Sequence, residues 1–337
     1  MLLPFLRKIS AREDLSAAQA RDAMLVILSG QATTPQISAF LVGLRGKGET
    51  AEELLGFARA MREKAAIIDV GLESQPLLDT SGTGGDGGAT FNISTVAAFV
   101  VAGAGVRVAK HGNRSFSSQC GSADILEQLG VQVSLPPERV AQAIREIGIG
   151  FLFAPLLHPA MKHAQPARVE LKMRTVFNLL GPLTNPAGAT RQLIGAPSAH
   201  AAELMANALA GLGPARAFIV HGSDGLDEVT TTGSTLVFEV TGASVRSFSW
   251  TPADFGIPTA TAEALRGGDR ARNASIATAI LQGQPGAQRD IVLVNSAAAL
   301  VAAGAADLRE AMQRAAESID SGAAWTKLQR LAAFSHA

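Results

Sequence analysis

The sequence predicts an α/β protein: a small N-terminal helical domain beside a larger domain whose mostly parallel central sheet is flanked by helices. Three observations lead there. The first 66 or so residues carry helical periodicity, short β runs alternate with small-residue helices from about residue 72, and a glycine-rich loop joins one such strand to one such helix. Strands alternating with helices build parallel sheets, because each crossover returns to the same edge. The domains are drawn at 1–70 and 71–337, with some central helices of the second able to pack on the first.

In the helical part, Leu15-Ser16 opens a helix over Ala17–Leu28, which Gly30 ends. Pro35 begins the next, over Gln36–Leu44, and Lys47-Gly48-Glu49 turns the chain. Thr50 caps Ala51–Ala66, with Glu52 and Glu53 in the first turn and Arg62 and Lys64 in the last, as the helix dipole prefers. Ile37, Phe40, Leu41 and Leu44 need an apolar partner, and a helical subdomain that also serves a dimer is expected.

Strands are expected at Pro76–Asp79, Val106–Ala109, Gly150–Phe153, Gln192–Gly195, Ala217–His221, Leu236–Val240 and Ser244–Phe248. Helices are expected at Val96–Gly105, Ala123–Gly130, Pro137–Glu146, Ala160–Leu171, Ala201–Gly211, Asn273–Leu281, Arg289–Ala303 and Asp307–Ser321, before a weakly amphipathic end. Asn178 to Pro186 reads as a rigid apolar loop suited to packing.

Composition narrows the function. The 337 residues suffice for one large or two modest domains, and 47% hydrophobic against 17% charged residues describes a globular chain with an ample core. Basic and acidic residues balance at 29 each, so no long-range field favours nucleic acid or an anionic membrane. A single cysteine, Cys120, rules out an internal disulfide and suits a reducing compartment. No apolar stretch has the ~20 residues of a membrane span, and the start is too short for a signal peptide, so the cytoplasm is expected.

The chemistry centres on Asp79-Thr-Ser-Gly-Thr-Gly-Gly-Asp-Gly-Gly-Ala-Thr-Phe-Asn-Ile-Ser-Thr95. Its glycines let backbone N–H groups converge on an anion. Asn92 to Thr95 are cap-type residues, so the following helix would aim its positive end at the same spot. A Walker loop is excluded, since no lysine follows until Lys110. Gly82-x-Gly84-x-x-Gly87 satisfies the dinucleotide fingerprint only weakly. About 20 positions on, where an acidic ribose ligand belongs, the chain instead runs Arg107-Val-Ala-Lys110-His-Gly-Asn-Arg114. Cationic and amide groups there suit more phosphate.

Three further clusters follow. Lys110 to Asp124 holds two cations, an imidazole, amides and hydroxyls just past a strand, where ligands bind in open α/β sheets. His158 precedes a helix in which Arg168 could fork onto a planar carboxylate, although a surface arginine is an equal reading. Asp227 and Glu228 follow glycines after a strand; as oxygen ligands near phosphate they suit partly hydrated Mg²⁺.

Gly-Thr-Gly-Gly-Asp-Gly with Asn-x-Ser-Thr, Lys-His-Gly-Asn-Arg-Ser with Gly-Ser-Ala-Asp, Arg-Thr-x-Phe-Asn-Leu-Leu-Gly-Pro-Leu-x-Asn-Pro and His-Gly-x-Asp-Gly-x-Asp-Glu together closely resemble the anthranilate phosphoribosyltransferases of tryptophan biosynthesis. The likeness runs from Leu15 to Asp320-Ser-Gly. It implies the fold shared with pyrimidine nucleoside phosphorylases and a homodimer formed through the helical part. It also implies transfer of phosphoribose from phosphoribosyl pyrophosphate (PRPP) to the amine of anthranilate, with no nucleic acid or membrane partner.

Carried over, the resemblance places pyrophosphate on Gly82, Gly85, Asp86, Asn92, Ile93, Ser94 and Thr95. Lys110, His111, Gly112, Asn113, Arg114, Ser115, Phe116, Ser117 and Ser118, with Thr90 and Ser122, would hold the remaining phosphate and ribose. Ser94, Asp227 and Glu228 would bind two Mg²⁺ ions per subunit. Gly82, Asn113 and Arg168 would contact anthranilate, with His111 and His158 along its channel. No catalytic base is named, because the anthranilate amine is already neutral and positioning should contribute more.

Two departures bear on the acceptor. The family often has Leu-Gly-x-Arg-Thr where this chain has Leu171-Lys172-Met173-Arg174-Thr175, and Leu157 stands where a tyrosine often precedes the channel histidine. They leave open another aromatic acceptor. A nucleic-acid-binding relative of the same fold would need a basic face, against which the neutral balance argues.

Overall fold

The computed structural model describes residues 1–71, 76–84, 90–115 and 120–337. The helical part is α1 (Leu3–Ser10), α2 (Ala17–Leu28), α3 (Thr34–Lys47) and α4 (Ala51–Lys64). Ser16, Thr33 and Thr50 each accept a hydrogen bond from the backbone N–H three residues on, and Gln19, Gln36 and Glu53 return it. Glu53 is buried, yet it accepts from Leu15 N–H and from Lys47 Nζ, each at 3.0 Å, so its charge is compensated. α1 adds to the expected helices; its eight residues are too few for a period to stand out in the sequence.

The rest of the chain builds β1 (Leu77–Gly82), α5 (Ile93–Gly103), β2 (Arg107–Gly112), α6 (Ser122–Gln128), α7 (Pro137–Glu146), β3 (Ile149–Phe153), α8 (Ala154–Leu157), α9 (Gln165–Leu171) and α10 (Phe177–Leu180). After these come β4 (Arg191–Gly195), α11 (Ala199–Ala210), β5 (Arg216–Gly222), β6 (Thr235–Thr241), β7 (Ser244–Trp250), α12 (Arg270–Leu281), α13 (Ala287–Ala303), α14 (Leu308–Asp320) and α15 (Ala323–His336). The strands form one sheet in the order β3-β2-β1-β4-β5-β6-β7. Neighbours from β3 to β5 are parallel, while β6 and β7 are antiparallel.

All seven expected strands are present, and most run past their apolar cores. β1 continues through Thr80, Ser81 and Gly82 because these pair with Leu193, Ile194 and Gly195 of β4. Backbone pairing, which hydropathy does not register, sets that end. Side chains alternate between two cores, as the strand period requires. Leu193, Phe218 and Val220 pack with α5, α13, α14 and α15, whereas Ile194, Ala217 and Ile219 pack with α11 and the helical part. Ala164, Ala167, Phe177 and Leu180 from the central helices join that second core.

Two expectations are corrected. The helix expected over Ala160–Leu171 is a 3-10 turn at Pro159–His163 followed by α9, because Pro166 has no N–H to carry an unbroken helix. The stretch expected as a loop from Asn178 is partly helical, with α10 and a 3-10 turn at Gly181–Leu183. Its Asn185 still acts as packing: Nδ2 donates to Asp79 Oδ2 at 2.8 Å and to Ala109 O at 2.9 Å, tying β1 to β2. Among the described residues no single helix is long and apolar enough to cross a membrane.

Candidate active site

The strand order reverses at β1, which lies between β2 and β4, and a crevice opens beyond the carboxyl ends of the strands at such a point. It has a volume of about 330 Å³. Gly82, Thr90, Asn92, Ile93, Ser94, Thr95, Lys110, His111, Gly112, Asn113, Arg114, Ser115, Ser122, Arg168, Asp227 and Glu228 line it, so residues from four sequence clusters meet in one place. Gly85, Asp86, Phe116, Ser117 and Ser118 lie outside the described residues. His158 does not line the crevice; its ring lies against that of His111, centroids 5.1 Å apart.

On one side, α5 starts at the crevice and directs its N-terminus into it. Asn92 does not cap this helix with its side chain, contrary to its residue type. Its amide is taken up elsewhere, with Nδ2 donating to Cys120 O at 3.0 Å and Oδ1 accepting from Asn273 Nδ2 at 3.2 Å. The free helix end is met instead by a carboxylate, Glu228 Oε1 accepting from Ser94 N–H at 3.1 Å. Lys110 enters from β2 and is buried; its Nζ donates to Thr80 O at 2.6 Å and to Ser94 Oγ at 3.4 Å. Burial pushes the Lys110 ammonium down, against the upward pull of Asp79 and Glu228. Burial pushes the Asp79 carboxyl up, opposed by Lys110 and by hydrogen bonds from Asn185 and from His111 N–H. The fold thus keeps a desolvated cation at the crevice floor, where a charge acts most strongly.

The loop after β2 is organised by Asp124 of α6. Its Oδ2 accepts from Ser115 N–H at 3.1 Å and Gly121 N–H at 2.9 Å, gripping both ends of the loop. Arg114 turns its fork away onto Glu127, at 2.7 and 2.6 Å, so its charge is largely used within the protein. Ser122 Oγ accepts from Asn113 N–H and donates to Asn113 O, both at 3.1 Å.

Opposite these loops, Asp227 and Glu228 follow β5 on a turn held from behind. Asp224 accepts from Thr230 Oγ1 at 2.6 Å and from Leu226 N–H at 3.2 Å. Fully buried Asn295 of α13 accepts from Val229 N–H and donates to Val229 O, both at 2.9 Å. A Cβ at Gly195 would come within 1.7 Å of Asp227 O, so that position must be glycine for the pair to sit here, while one at Gly82 would come within 2.8 Å of Asp227 Oδ2 and push the carboxylate aside. Two carboxylates and the Ser94 hydroxyl on one crevice form a hard oxygen donor set that fits Mg²⁺. Among the described residues no three His, Cys, Asp or Glu side chains converge as a metal site, so ligand oxygens would complete the shell.

The remaining wall comes from α9 and α10. Arg168 lies over the Phe177 ring at 5.3 Å, and burial holds its guanidinium below its ordinary value. Arg174 donates to Thr83 O at 3.1 Å; burial lowers it too, with Asp227 opposing. His111 Nδ1 donates to Gly181 O at 3.0 Å, which fixes the proton on Nδ1 and leaves Nε2 bare. Burial pushes His111 down to about 4, with Gly181 opposing and Lys110 adding to it; burial and then His111 push His158 down to about 3. Both imidazoles are therefore neutral near pH 7. As pH falls from about 6.5 toward 4, the unfolded chain takes up protons that the folded chain refuses, and stability drops by a few kcal/mol. Melting temperature followed over that window is expected to fall, and His158→Leu should flatten the decline.

Lys172, at the end of α9, is left-handed at φ 47° without being glycine. A Cβ there costs about 1–2 kcal/mol, against a glycine entropy loss of about 0.5–1 kcal/mol. Lys172→Gly is accordingly expected to stabilise the protein by about 0.5–1 kcal/mol in urea unfolding.

The crevice also includes residues that motif reading did not single out: Arg174, Asn178, Gly268 and Asn273. Arg174 and Asn178 stand inside a quoted motif. Of the others, Gly268 ends Gly267-Gly268 just before Asp269, the cap of α12, and Asn273 lies in that helix, behind a glycine-then-cap signal like the one that marked β1 and α5.

Residues 3–65 match the family described as glycosyl transferase family, helical bundle domain, and residues 74–325 match glycosyl transferase family, a/b domain. The anthranilate phosphoribosyltransferase of Solibacter usitatus is 63% identical over 99% of this chain and 98% of its own. The crystal structure of the anthranilate phosphoribosyltransferase from Thermus thermophilus superposes with a TM-score of 0.92 at 44% identity, covering 98% of this chain and 99% of that one. That of the Saccharomyces cerevisiae enzyme in complex with PRPP and Mg gives 0.89 at 30% identity, over 99% and 98%. The same yeast enzyme in complex with 4-fluoroanthranilate gives 0.87 at 29%, again over 99% and 98%.

Proposed function

Because the chain belongs to the anthranilate phosphoribosyltransferase family, we propose that its crevice holds PRPP and anthranilate side by side. The enzyme transfers the phosphoribosyl group of PRPP to the amine of anthranilate, giving N-(5-phosphoribosyl)anthranilate and pyrophosphate in tryptophan biosynthesis. One observation carries the site assignment: the helix N-terminus, buried Lys110, the paired carboxylates and Arg168 all face one crevice at the strand-order reversal.

In this reading pyrophosphate lies on Gly82 and on Asn92 to Thr95 at the start of α5, where N–H groups and the helix dipole favour an anion. Lys110, the loop from His111 to Ser115, Thr90 and Ser122 hold the rest of PRPP. Arg168 takes the anthranilate carboxylate, with Gly82 and Asn113 beside it. His111 borders the same channel and His158 backs it, which the ring contact between them supports. Ser94, Asp227 and Glu228 hold Mg²⁺, two ions per subunit. Held by these residues, Mg²⁺ would supply positive charge to offset the charge that grows on pyrophosphate. Lys110 and the α5 N–H groups act on the same charge from the other side, already oriented before it develops. Arg168 on its phenylalanine bed orients the amine toward C1, and holding two reactants in place removes much of the barrier.

The same reading divides the enzyme at about residue 70 and makes it a cytoplasmic homodimer through the helical part, acting on small molecules alone. Exposed Leu3 on α1 and Val42 on α3 support that dimer face. The test is anthranilate fluorescence followed with purified protein and PRPP, with and without Mg²⁺. Metal-dependent loss of signal is expected. PRPP binding without loss of signal would point to another aromatic acceptor, and no PRPP binding would sink the assignment.

A further inference from the structure

We propose that Arg266–Asn273, a segment far along the chain from both phosphate loops, is a brace that sets the distance between them, with Asn273 and Arg270 as positioning residues for PRPP. The inference rests on the reading that the crevice holds PRPP.

Several contacts put this segment against the first loop. Arg266 pairs with Thr90 as an isolated antiparallel bridge. A Cβ at Gly267 would come within 2.6 Å of Thr90 and Phe91 backbone atoms, so the two chains are packed as closely as backbones allow. Asn273, itself 2% exposed, closes its own turn by accepting from Gly268 N–H at 2.8 Å and donates Nδ2 to Asn92 Oδ1 at 3.2 Å. That bond leaves the Asn92 amide facing the second loop, where it donates to Cys120 O. One buried asparagine thus orients another that bridges the two loops.

The second loop is reached by charge as well. Arg270, in the first turn of α12, pairs with Asp124 Oδ1 at 2.8 Å. Asp124 is the carboxylate whose other oxygen grips Ser115 N–H and Gly121 N–H. Arg114 is the second cation on Asp124, at 3.3 Å, but its fork is committed to Glu127. Arg270 therefore links the brace to both ends of that loop.

PRPP carries phosphate groups at both ends of its ribose, so a site that grips both needs its two loops at a fixed separation. A brace touching both supplies this, and a shift of about 1 Å in such a span is costly to binding and reaction. Gly268 and Asn273 also form part of the crevice wall, which places the brace at the ligand rather than behind it.

The experiment measures PRPP affinity by calorimetry, with Mg²⁺ present, together with steady-state constants and melting temperatures. Asn273→Ala is expected to weaken PRPP about tenfold and Arg270→Ala about threefold, with the KM for anthranilate held within about twofold. Arg270→Lys should recover most of the affinity. Leu281→Ala, at the buried far end of α12, should lower the melting temperature yet bind PRPP as the parent does. Arg270 is 54% exposed, so its variants fold even if Asn273→Ala does not. Parent-like PRPP affinity in the Arg270→Ala and Asn273→Ala proteins would overturn the brace, as would equal weakening by Leu281→Ala. A parent enzyme that fails to bind PRPP would instead overturn the functional reading beneath it.

Discussion

Replacing Asp227 and Glu228 together by alanine is expected to lower kcat/KM by about three orders of magnitude or more, since removing a single preorganised charge-stabilising group already costs about 10²–10³. The loss should be chemical and not a collapse of the fold. The turn stays pinned from behind by Asn295 on Val229 and by Asp224 on Leu226 and Thr230, none of which is altered. The backbone carbonyl of residue 227 still faces Gly195 as before, and only the carboxylate facing Gly82 is removed, so the change adds no strain. Melting temperature should therefore stay near that of the parent while the response to added Mg²⁺ disappears. His111→Ala is the contrast. Its neutral ring, with Nδ1 fixed on Gly181 O, is not asked to take a proton, and its loss should cost no more than about tenfold. Steady-state rates across an Mg²⁺ titration decide the matter. A His111→Ala enzyme as inactive as the double variant would mean that a base is required after all.

Lys110→Met should cost about 10²–10³ in kcat/KM, the loss expected on deleting one desolvated charge aimed at a leaving group. Its structural effect has a separate signature. Asp79 is buried and already raised by burial; without the Lys110 charge its carboxyl moves up further. A carboxyl whose folded value lies above its unfolded one, about 4, destabilises the protein as pH rises through that interval, because the unfolded chain ionises first. Both proteins gain stability from the two histidines on going from pH 4 toward neutrality, so the variant should gain less than the parent over that window, and a second change, Asp79→Asn, should restore the parent's pH dependence without restoring turnover. Urea unfolding at several pH values beside the rate assay separates the two roles. Recovery of activity in the double variant would show that Lys110 serves only to neutralise Asp79.

Much of this was legible in the sequence for local reasons. β-branched and aromatic runs give away strands, and a capping pattern such as Thr50 with Glu53 names a helix start from four residues. The two loops proposed to hold phosphate are legible because their glycines and cap residues are contiguous. Legibility fails where a residue's partner lies far along the chain. Asn92 has the residue type of an N-cap, but Asn273, 181 positions away, and Cys120 take its amide. Arg114 is named among the PRPP residues from its motif, and nothing local announces that its fork also meets Glu127 in the next helix. Residues 266–273 carry a glycine-then-cap signal for α12, but the tertiary contacts that join them to the crevice are announced by no period or spacing.

Gly195 ends β4 facing a carbonyl that leaves no room for even one carbon. Every one of the other nineteen side chains begins with that carbon, so the position is shut to mutational drift for reasons unrelated to the stability of the strand itself. The same holds, less severely, for Gly82. A lineage that lost Gly82 could keep its sheet and core with the Asp227 carboxylate displaced, whereas one that lost Gly195 would also have to move the backbone that Asn295 pins through Val229. Deep mutational scanning that scores folding and growth without tryptophan separately would find Gly82 near silent in the first and intolerant in the second, and Gly195 intolerant in both.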